Sequence, residues 1–297
     1  MTALPKRLRY DQRQSLYGFL FIAPIVVYYS FFALWPMLNA VYLSFFKYDL
    51  LSKPEFVGIS QYISLIKTPT FLKSLSVTAI YVVAVNVPVW ILSISVAMVL
   101  NTKIRGRTFF RTLVFSPIVM PLAVLAVIWS LLYNPIGPIN EWILKSFLDS
   151  PLPWLNSERL ALLAVIVMAI WRAFGYYSVL FLAGLQNIST EFYEAARIDG
   201  AGPWLIFSRI TWPLLRPTTL FVIIISVTNT LRHFDAIWIM TKGGPVDATR
   251  VLSILIYETG WTYFSMGKAS AMSVFLLVAL LVFSAIQFKL FKSSEYE

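Results

Sequence analysis

Polar and charged side chains interrupt two of the long apolar stretches of this sequence. Arg172 and Tyr176 are four residues apart, so a helix places them on one face. The next apolar stretch carries a second group, which comprises Asn229, Thr230, His233, Asp235 and Trp238. Amide, hydroxyl, imidazole and carboxylate groups hydrogen-bond to solute hydroxyls, and aromatic rings stack on apolar solute faces. We therefore predict that these seven side chains line the path of a polar solute.

The same side chains also have structural interpretations. Ionisable groups at membrane depth are costly, and they face the bundle interior, a cavity or a partner. Arg172, Arg232 and Asp235 are therefore candidates for ion pairs between helices or with a second subunit, which is the preferred interpretation for Arg232 and Asp235. Arg172 and Asp235 are also candidates for a proton or ion relay. For Asn229 and His233, a pocket role and a structural role are equally open.

The elements that must position these groups are membrane-spanning helices. Of the 297 residues, 59% are hydrophobic and 13% are charged, whereas soluble domains are about a quarter charged. About 20 apolar residues cross the hydrocarbon core as a helix, and long apolar runs without alternation argue against barrel strands. The sequence therefore predicts an all-α bundle, with an N-terminal segment at residues 1–15 and a transmembrane domain at residues 16–297. The six predicted transmembrane helices cover about 16–46, 74–102, 112–133, 160–185, 217–241 and 269–288. Asn86 and Pro88 mark a hinge or a packing kink in the second of them.

The distribution of Lys and Arg predicts the orientation of the bundle. With a cytoplasmic N-terminus, 13 of these residues flank the spans on the cytoplasmic side and 9 on the opposite side. Cytoplasmic flanks carry the excess of Lys and Arg in membrane proteins, so both termini are predicted to be cytoplasmic. The net charge of +10 follows from this bias and requires no nucleic acid.

A charged segment between the fourth and fifth spans, residues 191–213, reads EFYEAARIDGAGPWLIFSRITWP. A helix capped by Ser189 or Thr190 carries Glu191 and Glu194 in its first turn, where acids favour the exposed amides. The Gly-Ala-Gly-Pro break ends this helix and begins a second, amphipathic one. The segment therefore predicts a cytoplasmic helix-turn-helix. A solvated loop or a helix lying on lipid is the alternative, but acids rather than Lys and Arg lead here, which favours a protein partner.

Catalytic chemistry has little support in the residue types. The chain has no Cys and one His, so thiolate metal sites, His clusters and a Cys nucleophile are excluded. A phosphate-binding loop needs G-x-x-x-x-G-K-S/T, whereas Gly267-Lys268-Ala269 lacks the hydroxyl and has Thr262 in place of the upstream Gly. We predict no catalytic residue, no metal site and no cofactor bound by this chain.

The spacing of the charged segment resembles a known family signature. Glu194-Ala195-Ala196, then Gly200, Ile210 and Pro213 are similar to the EAA loop of permease subunits of binding-protein-dependent ABC importers. That loop usually has Leu before its last Pro, and this chain has Trp212 there. Further stretches resemble the carbohydrate-uptake, maltose-permease branch of the family, among them RGRTFFRTLVFSPIVMP at 105–121, FLAGLQNIS at 181–189 and FDAIWIMTKGGP at 234–245.

The resemblance implies a transport subunit in the cell inner membrane, which is not itself an enzyme. Its implied partners are a second, unlike permease, two ATPase subunits that hold ATP and Mg, an extracytoplasmic solute-binding protein, a sugar or polyol solute, and the lipid bilayer. The loop would dock on the ATPase, and the resemblance implies the coupling residues Glu191, Glu194, Ala195, Ala196, Asp199, Gly200, Ile210 and Pro213. It also implies, by location rather than chemistry, that Tyr176, Asn229, Thr230 and His233 lie where the maltose-type permease contacts sugar.

Three alternatives compete with a neutral-sugar importer. Arg172 and Arg232 leave open an anionic solute, such as a uronate oligosaccharide or glycerol phosphate. A stand-alone secondary transporter would use Arg172 and Asp235 as a relay and would need no ATPase. An integral-membrane enzyme ranks last, because the sequence offers no paired carboxylates or His cluster near a membrane face.

Overall fold

A computed structural model describes residues 7–102, 105–145, 147 and 150–292. Over these residues helices predominate, and the sheet consists of two strands of two residues each, which confirms the all-α class. Residues 1–6 of the predicted N-terminal segment lie outside the described part. The helices are α1 Arg7–Tyr29, α2 Trp35–Leu43, α3 Ser60–Lys67, α4 Pro69–Asn101, α5 Arg107–Val119, α6 Leu122–Leu132, α7 Ala161–Gln186, α8 Thr190–Ile198, α9 Pro203–Ile206, α10 Trp212–Leu214, α11 Arg216–Leu231, α12 Asp235–Thr241, α13 Leu252–Tyr257 and α14 Met266–Lys292. Short π-helical turns lie at Ser30–Leu34, Ile139–Leu144, Phe207–Thr211 and Glu258–Thr262.

Four helical segments within the described residues are long and apolar enough to cross a membrane. They are Tyr17–Leu43, Pro69–Asn101, Ala161–Gln186 and Met266–Gln287, and each overlaps a predicted span. The other two predicted spans overlap bent pairs of helices, Arg107–Val119 with Leu122–Leu132 at 97° and Pro203–Leu214 with Arg216–Leu231 at 66°. Counting each bent pair as one span gives six.

The third predicted span, 112–133, is not one straight helix. α5 ends at Val119, and Met120 is extended before Pro121. A proline disfavours helical geometry in the residue that precedes it and lacks the amide that would continue the ladder. Pro121 therefore accounts for the sharp bend between α5 and α6.

The fifth predicted span, 217–241, is divided as well. α11 ends at Leu231 and α12 begins at Asp235, so residues 232–234 form a break. At this break the backbone carbonyl of His233 accepts a hydrogen bond of 2.8 Å from Ser253 Oγ. A side chain thus satisfies a carbonyl at the end of a helix, which makes irregular backbone tolerable inside a bundle.

The structure divides into two compact units, of which the larger comprises residues 65–258 and 276–297. Its core lies where α4 packs along α7, and it buries Tyr81 and Val85 of α4 with Met168 and Phe181 of α7. α5 crosses α7 at Gly175, where an added Cβ would collide with the carbonyl of Val114 in α5. Glycine at this position therefore sets the close approach of the two helices.

The loop that follows α12 in the larger unit is tied down by polar contacts. Thr249 Oγ1 donates to the carbonyl of Gly244 at 2.9 Å, and Lys73 Nζ donates to the carbonyl of Val246 at 2.6 Å. Arg250 forms ion pairs with both Asp247 and Glu258. Residues 243–245 are therefore part of an ordered loop.

The smaller unit comprises residues 1–64 and 259–275. Its strands β1 Phe46–Lys47 and β2 Glu55–Phe56 are antiparallel, with Phe46 opposite Phe56 and Lys47 opposite Glu55. Most of the apolar side chains described in α1 and α2 are exposed, and Phe21 is 87% exposed. Such a surface suits lipid or a further membrane subunit rather than water.

Candidate functional site

A cavity of about 460 Å³ lies within the larger unit among α4, α7, the α5–α6 pair and the end of α11. Its apolar walls come from Val85 and Val89 of α4, Ile118 of α5, Leu122 of α6 and Ala173 of α7. The bend at residues 120–121 brings both halves of the third span to the cavity. Its volume falls in the range of small-solute sites in proteins.

Five of the seven predicted path residues line this cavity, although they come from two regions far apart in sequence. They are Arg172, Tyr176, Asn229, Thr230 and His233. The break after α11 lies at the cavity, so that Arg232 and His233, which belong to no helix, also reach it. The spacing argument from sequence thus places most of the polar set in one location.

The other two predicted path residues lie outside the cavity lining. Trp238 stacks on Phe234 with ring centroids 5.6 Å apart and meets the ring of Tyr257 edge-on at 5.2 Å. Asp235 lies in the first turn of α12 with an exposed side chain. Their place in the solute path stays a prediction. In the structure, Trp238 belongs to an aromatic cluster with Phe234 and Tyr257.

Polar contacts link α4, α7 and the end of α11 beside the cavity. The Tyr81 hydroxyl of α4 and Nδ1 of His233 are 3.0 Å apart. Asn229 Nδ2 donates to the Tyr177 hydroxyl of α7 at 3.4 Å. These contacts fix the orientation of the imidazole and of the amide before a solute arrives.

The sequence did not predict Tyr81 or Tyr177 as members of this network. It predicted Asn86 as part of a hinge or kink, but not as a cavity residue. Asn86 is 2% exposed, and its Nδ2 donates to the carbonyl of Val82 at 2.8 Å and to Thr230 Oγ1 at 3.1 Å. Its Oδ1 is buried without a hydrogen-bond partner. For Asn86, a single amide in an apolar span was a sequence signal for a functional position. A tyrosine in such a span is typical of a core residue, so Tyr81 and Tyr177 gave no such signal.

The charged residues of the path do not pair with one another. Within the described residues, the ion pairs are Lys145–Glu141, Arg250–Asp247 and Arg250–Glu258. The expected intrachain ion pairs of Arg172, Arg232 and Asp235 are therefore not formed, because Asp235 lies at the start of α12 and outside the cavity. Pairing with a second subunit stays a prediction.

The segment predicted to be a helix-turn-helix is one. Ser189 Oγ accepts a hydrogen bond of 3.3 Å from the amide of Glu191, so Ser189 rather than Thr190 caps α8. Gly200 has φ +77° just after α8, a left-handed conformation that glycine adopts without a Cβ penalty. Pro203 then begins α9, and the second helical run continues to Leu214.

The eight predicted coupling residues differ in exposure. Glu191, Glu194, Ala195, Asp199 and Gly200 are exposed, and Ile210 and Pro213 are half-buried. Ala196 is 9% exposed, so of the two adjacent alanines only Ala195 is open to a partner. The second helical run lies beside α8 at one point, where the hydroxyls of Tyr193 and Thr211 are 3.3 Å apart.

Exposed apolar side chains accompany these acids. Ile198 is 86% exposed and Trp204 is 77% exposed. A second cavity of about 850 Å³ lies alongside, lined by Glu194 and Arg197 of α8, Phe207 of the second run, and Met98 near the end of α4. Apolar and charged groups exposed together are typical of a protein-binding surface.

A helical bundle with a polar interior cavity and an exposed helix-turn-helix between two spans has the architecture of a membrane transport subunit. Residues 89–293 match the family of binding-protein-dependent transport system inner membrane components, and the chain belongs to that family. The matched range contains both the cavity residues from Val89 onward and the helix-turn-helix.

Relatives named for transport of different solutes are similar over almost the whole chain. The trehalose/maltose transport system permease protein MalF of Thermococcus litoralis is 33% identical over 292 residues, 96% of either chain. The lactose transport system permease protein LacF of Rhizobium radiobacter is 34% identical, over 91% of this chain and 92% of its own. The sn-glycerol-3-phosphate transport system permease protein UgpA of Brucella suis is 33% identical, over 90% and 92%.

Solved structures show the same fold. A chain of a bacterial ABC transporter involved in import of the acidic polysaccharide alginate superposes with a TM-score of 0.83 at 21% identity, over 97% of this chain and 99% of its own. A chain of the alginate transporter in complex with an alginate pentasaccharide-bound periplasmic protein gives 0.80 at 21% identity, over 95% and 96%.

Proposed function

We propose that this chain is the permease subunit of an ATP-driven importer for a sugar or related polyol and forms half of the translocation path. The observation that carries this proposal is the convergence of five predicted polar side chains on one cavity at membrane depth. Amide, hydroxyl and imidazole groups on a largely pre-formed wall suit a polyhydroxylated solute. The names of the relatives, two for sugars and one for a phosphorylated polyol, support this class.

The helix-turn-helix is proposed to couple this path to ATP hydrolysis in a separate subunit. Its exposed acids and the neighbouring Ile198 and Trp204 form a surface suited to a groove of that subunit. The excess of Lys and Arg on this side of the chain favours a cytoplasmic location for the loop and for both termini. ATP and Mg would then be bound by the ATPase, and this chain would need no cofactor of its own.

The remaining proposed partners complete an importer. A second, unlike permease would cover the apolar surfaces that α1 and α2 leave exposed and would provide the other half of the path. Two ATPase subunits and an extracytoplasmic binding protein would complete the assembly. Two observations support the binding protein as a partner. The family is described as binding-protein-dependent, and the alginate transporter structure contains a periplasmic protein.

The coupling role is tested by replacing Glu194 with Ala in the assembled importer. We expect the variant to insert normally but to retain less ATPase subunit on purification and to lose uptake in proteoliposomes. Glu158→Ala is the matched control, because Glu158 is exposed in a loop far from the helix-turn-helix in sequence. Normal transport by Glu194→Ala would refute docking through this residue, and transport by the chain in liposomes without ATPase would establish a secondary transporter instead.

A further inference from the structure

The ionisable side chains around the cavity are unbalanced in charge. Arg172 and Arg232 both line it, and none of its described lining residues is Asp or Glu. The carboxylate nearest in sequence, Asp235, lies outside the lining, and the described ion pairs leave both arginines unpaired. Two arginines therefore line one cavity of about 460 Å³, and no carboxylate among its described lining residues balances them.

The cost of this arrangement falls mainly on Arg172, which is half-buried, whereas Arg232 is exposed. Arginine stays charged under all ordinary conditions, and a charge at membrane depth needs a counter-charge or water. Two of the neutral polar groups that line the cavity have partners of their own, since His233 contacts Tyr81 and Asn229 contacts Tyr177. In contrast, Nε of Arg172 is buried without a hydrogen-bond partner.

We propose that the transported solute carries a carboxylate or phosphate group, and that Arg172 and Arg232 bind this group in the cavity. This inference rests on the proposed function, because it assigns a solute class to the same site. A guanidinium presents parallel N–H donors that match the oxygens of either anion, and these charge-assisted bonds are stronger than neutral ones. A neutral sugar would supply no counter-charge to either guanidinium.

A second orphan group indicates that the solute is more than a small inorganic anion. The Oδ1 of Asn86 is a buried acceptor without a partner, and Asn86 also lines the cavity. An acceptor of this kind is satisfied by a hydroxyl donor. The site therefore suits a solute with an acidic group and at least one hydroxyl, such as an acidic sugar or a polyol phosphate.

The test separates the cavity from the specificity of the binding protein. The complete permease–ATPase complex is placed in nanodiscs without binding protein, and binding of three probes is measured by their effect on thermal stability. The probes are a galacturonate trisaccharide, sn-glycerol 3-phosphate and the neutral maltotriose. We expect one or both acidic probes to bind and maltotriose to bind at least tenfold more weakly, and the stronger acidic probe distinguishes carboxylate from phosphate.

Variants then assign the binding to the two arginines. Arg172→Gln and Arg232→Gln should each weaken the acidic probe by roughly 10- to 100-fold, the value of one charge-assisted hydrogen bond. Arg172→Lys keeps the charge and should retain more affinity than Arg172→Gln, which identifies a loss caused by charge rather than by misfolding. The matched control is Arg159→Gln, because Arg159 is exposed in a loop and should leave binding unchanged.

The outcomes distinguish this inference from the proposed function. Binding of maltotriose equal to that of the acidic probes, or unchanged acidic binding in both glutamine variants, would overturn the anionic solute but leave a sugar importer standing. Binding of none of the probes, together with the absence of sugar-stimulated ATP hydrolysis when binding protein is added, would overturn the proposed function as well.

Discussion

Replacing Asn86 with Leu tests whether this residue serves transport or stability, because the two roles predict different results. The substitution exchanges a buried amide for an apolar side chain of similar size. It removes the hydrogen bonds from Nδ2 to the Val82 carbonyl and to Thr230 Oγ1. It also removes the buried Oδ1 that has no partner.

The energetic terms of this substitution largely cancel. Two lost hydrogen bonds cost roughly 1–3 kcal/mol together, and removal of one unsatisfied buried acceptor recovers about 1–3 kcal/mol. The former acceptors are not left unpaired, because Thr230 Oγ1 still donates to the carbonyl of Ser226 at 2.8 Å and the Val82 carbonyl keeps its helical bond. We therefore expect the free energy of unfolding to change by no more than about 1 kcal/mol.

The assay compares thermal unfolding of the purified complex with uptake in proteoliposomes. The expected Tm shift is below about 4 °C, whereas uptake should fall roughly tenfold or more, since a solute hydroxyl loses its acceptor. Asn156→Ala, at an exposed position outside the cavity lining, should alter neither quantity. A Tm drop of roughly 10 °C with unchanged uptake per folded molecule would show that Asn86 is structural and that its Oδ1 is satisfied.

Two further predictions concern the packing and the ion pairs of the larger unit. Gly175→Ala should destabilise the protein by about 1–3 kcal/mol, because its Cβ would meet the backbone of α5. Gly18→Ala is the control, because its Cβ would have nothing within 4 Å and should leave the Tm of the complex unchanged. Equal Tm values for both variants would contradict the close approach of α5 and α7. Glu258→Gln should lower the free energy of unfolding by roughly 1–3 kcal/mol, whereas Glu141→Gln should lower it by less than about 1 kcal/mol, as measured by thermal unfolding. The reason is that the Glu258 pair with Arg250 is largely buried whereas the Glu141 pair is exposed, and the reverse order would refute it.

Local signals made the helix-turn-helix predictable in detail. Its cap at Ser189, its end at Gly200 and its restart at Pro203 each depend on one or two neighbouring residues. Four spans were predictable for a similar reason, since hydrophobic length alone determines them. The division of the third span was signalled by Pro121, but a proline in a membrane helix is compatible with a continuous span when neighbours satisfy the freed groups.

Tertiary contacts decided what the sequence could not. The break at residues 232–234 is stabilised by Ser253, which is 20 residues away from His233. Trp238 resembled a stacking residue of the path, yet its nearest rings are Phe234 and Tyr257. A tyrosine in an apolar span is typical of a core residue, and only the structure shows that Tyr81 contacts His233 and that Tyr177 lines the cavity beside Asn229.

The order of elements along the chain explains how one segment can serve both sites. The helix-turn-helix is inserted between α7 and α11, the two helices that carry Arg172 and Asn229. From Arg172 to the end of α7 and from the start of α11 to Asn229, each helix runs unbroken for 14 to 15 residues, about 20 Å. Unbroken helices transmit a displacement at one end to the other, so a partner that moves the helix-turn-helix would move two walls of the cavity together. A loop placed elsewhere in the chain would act on at most one of them.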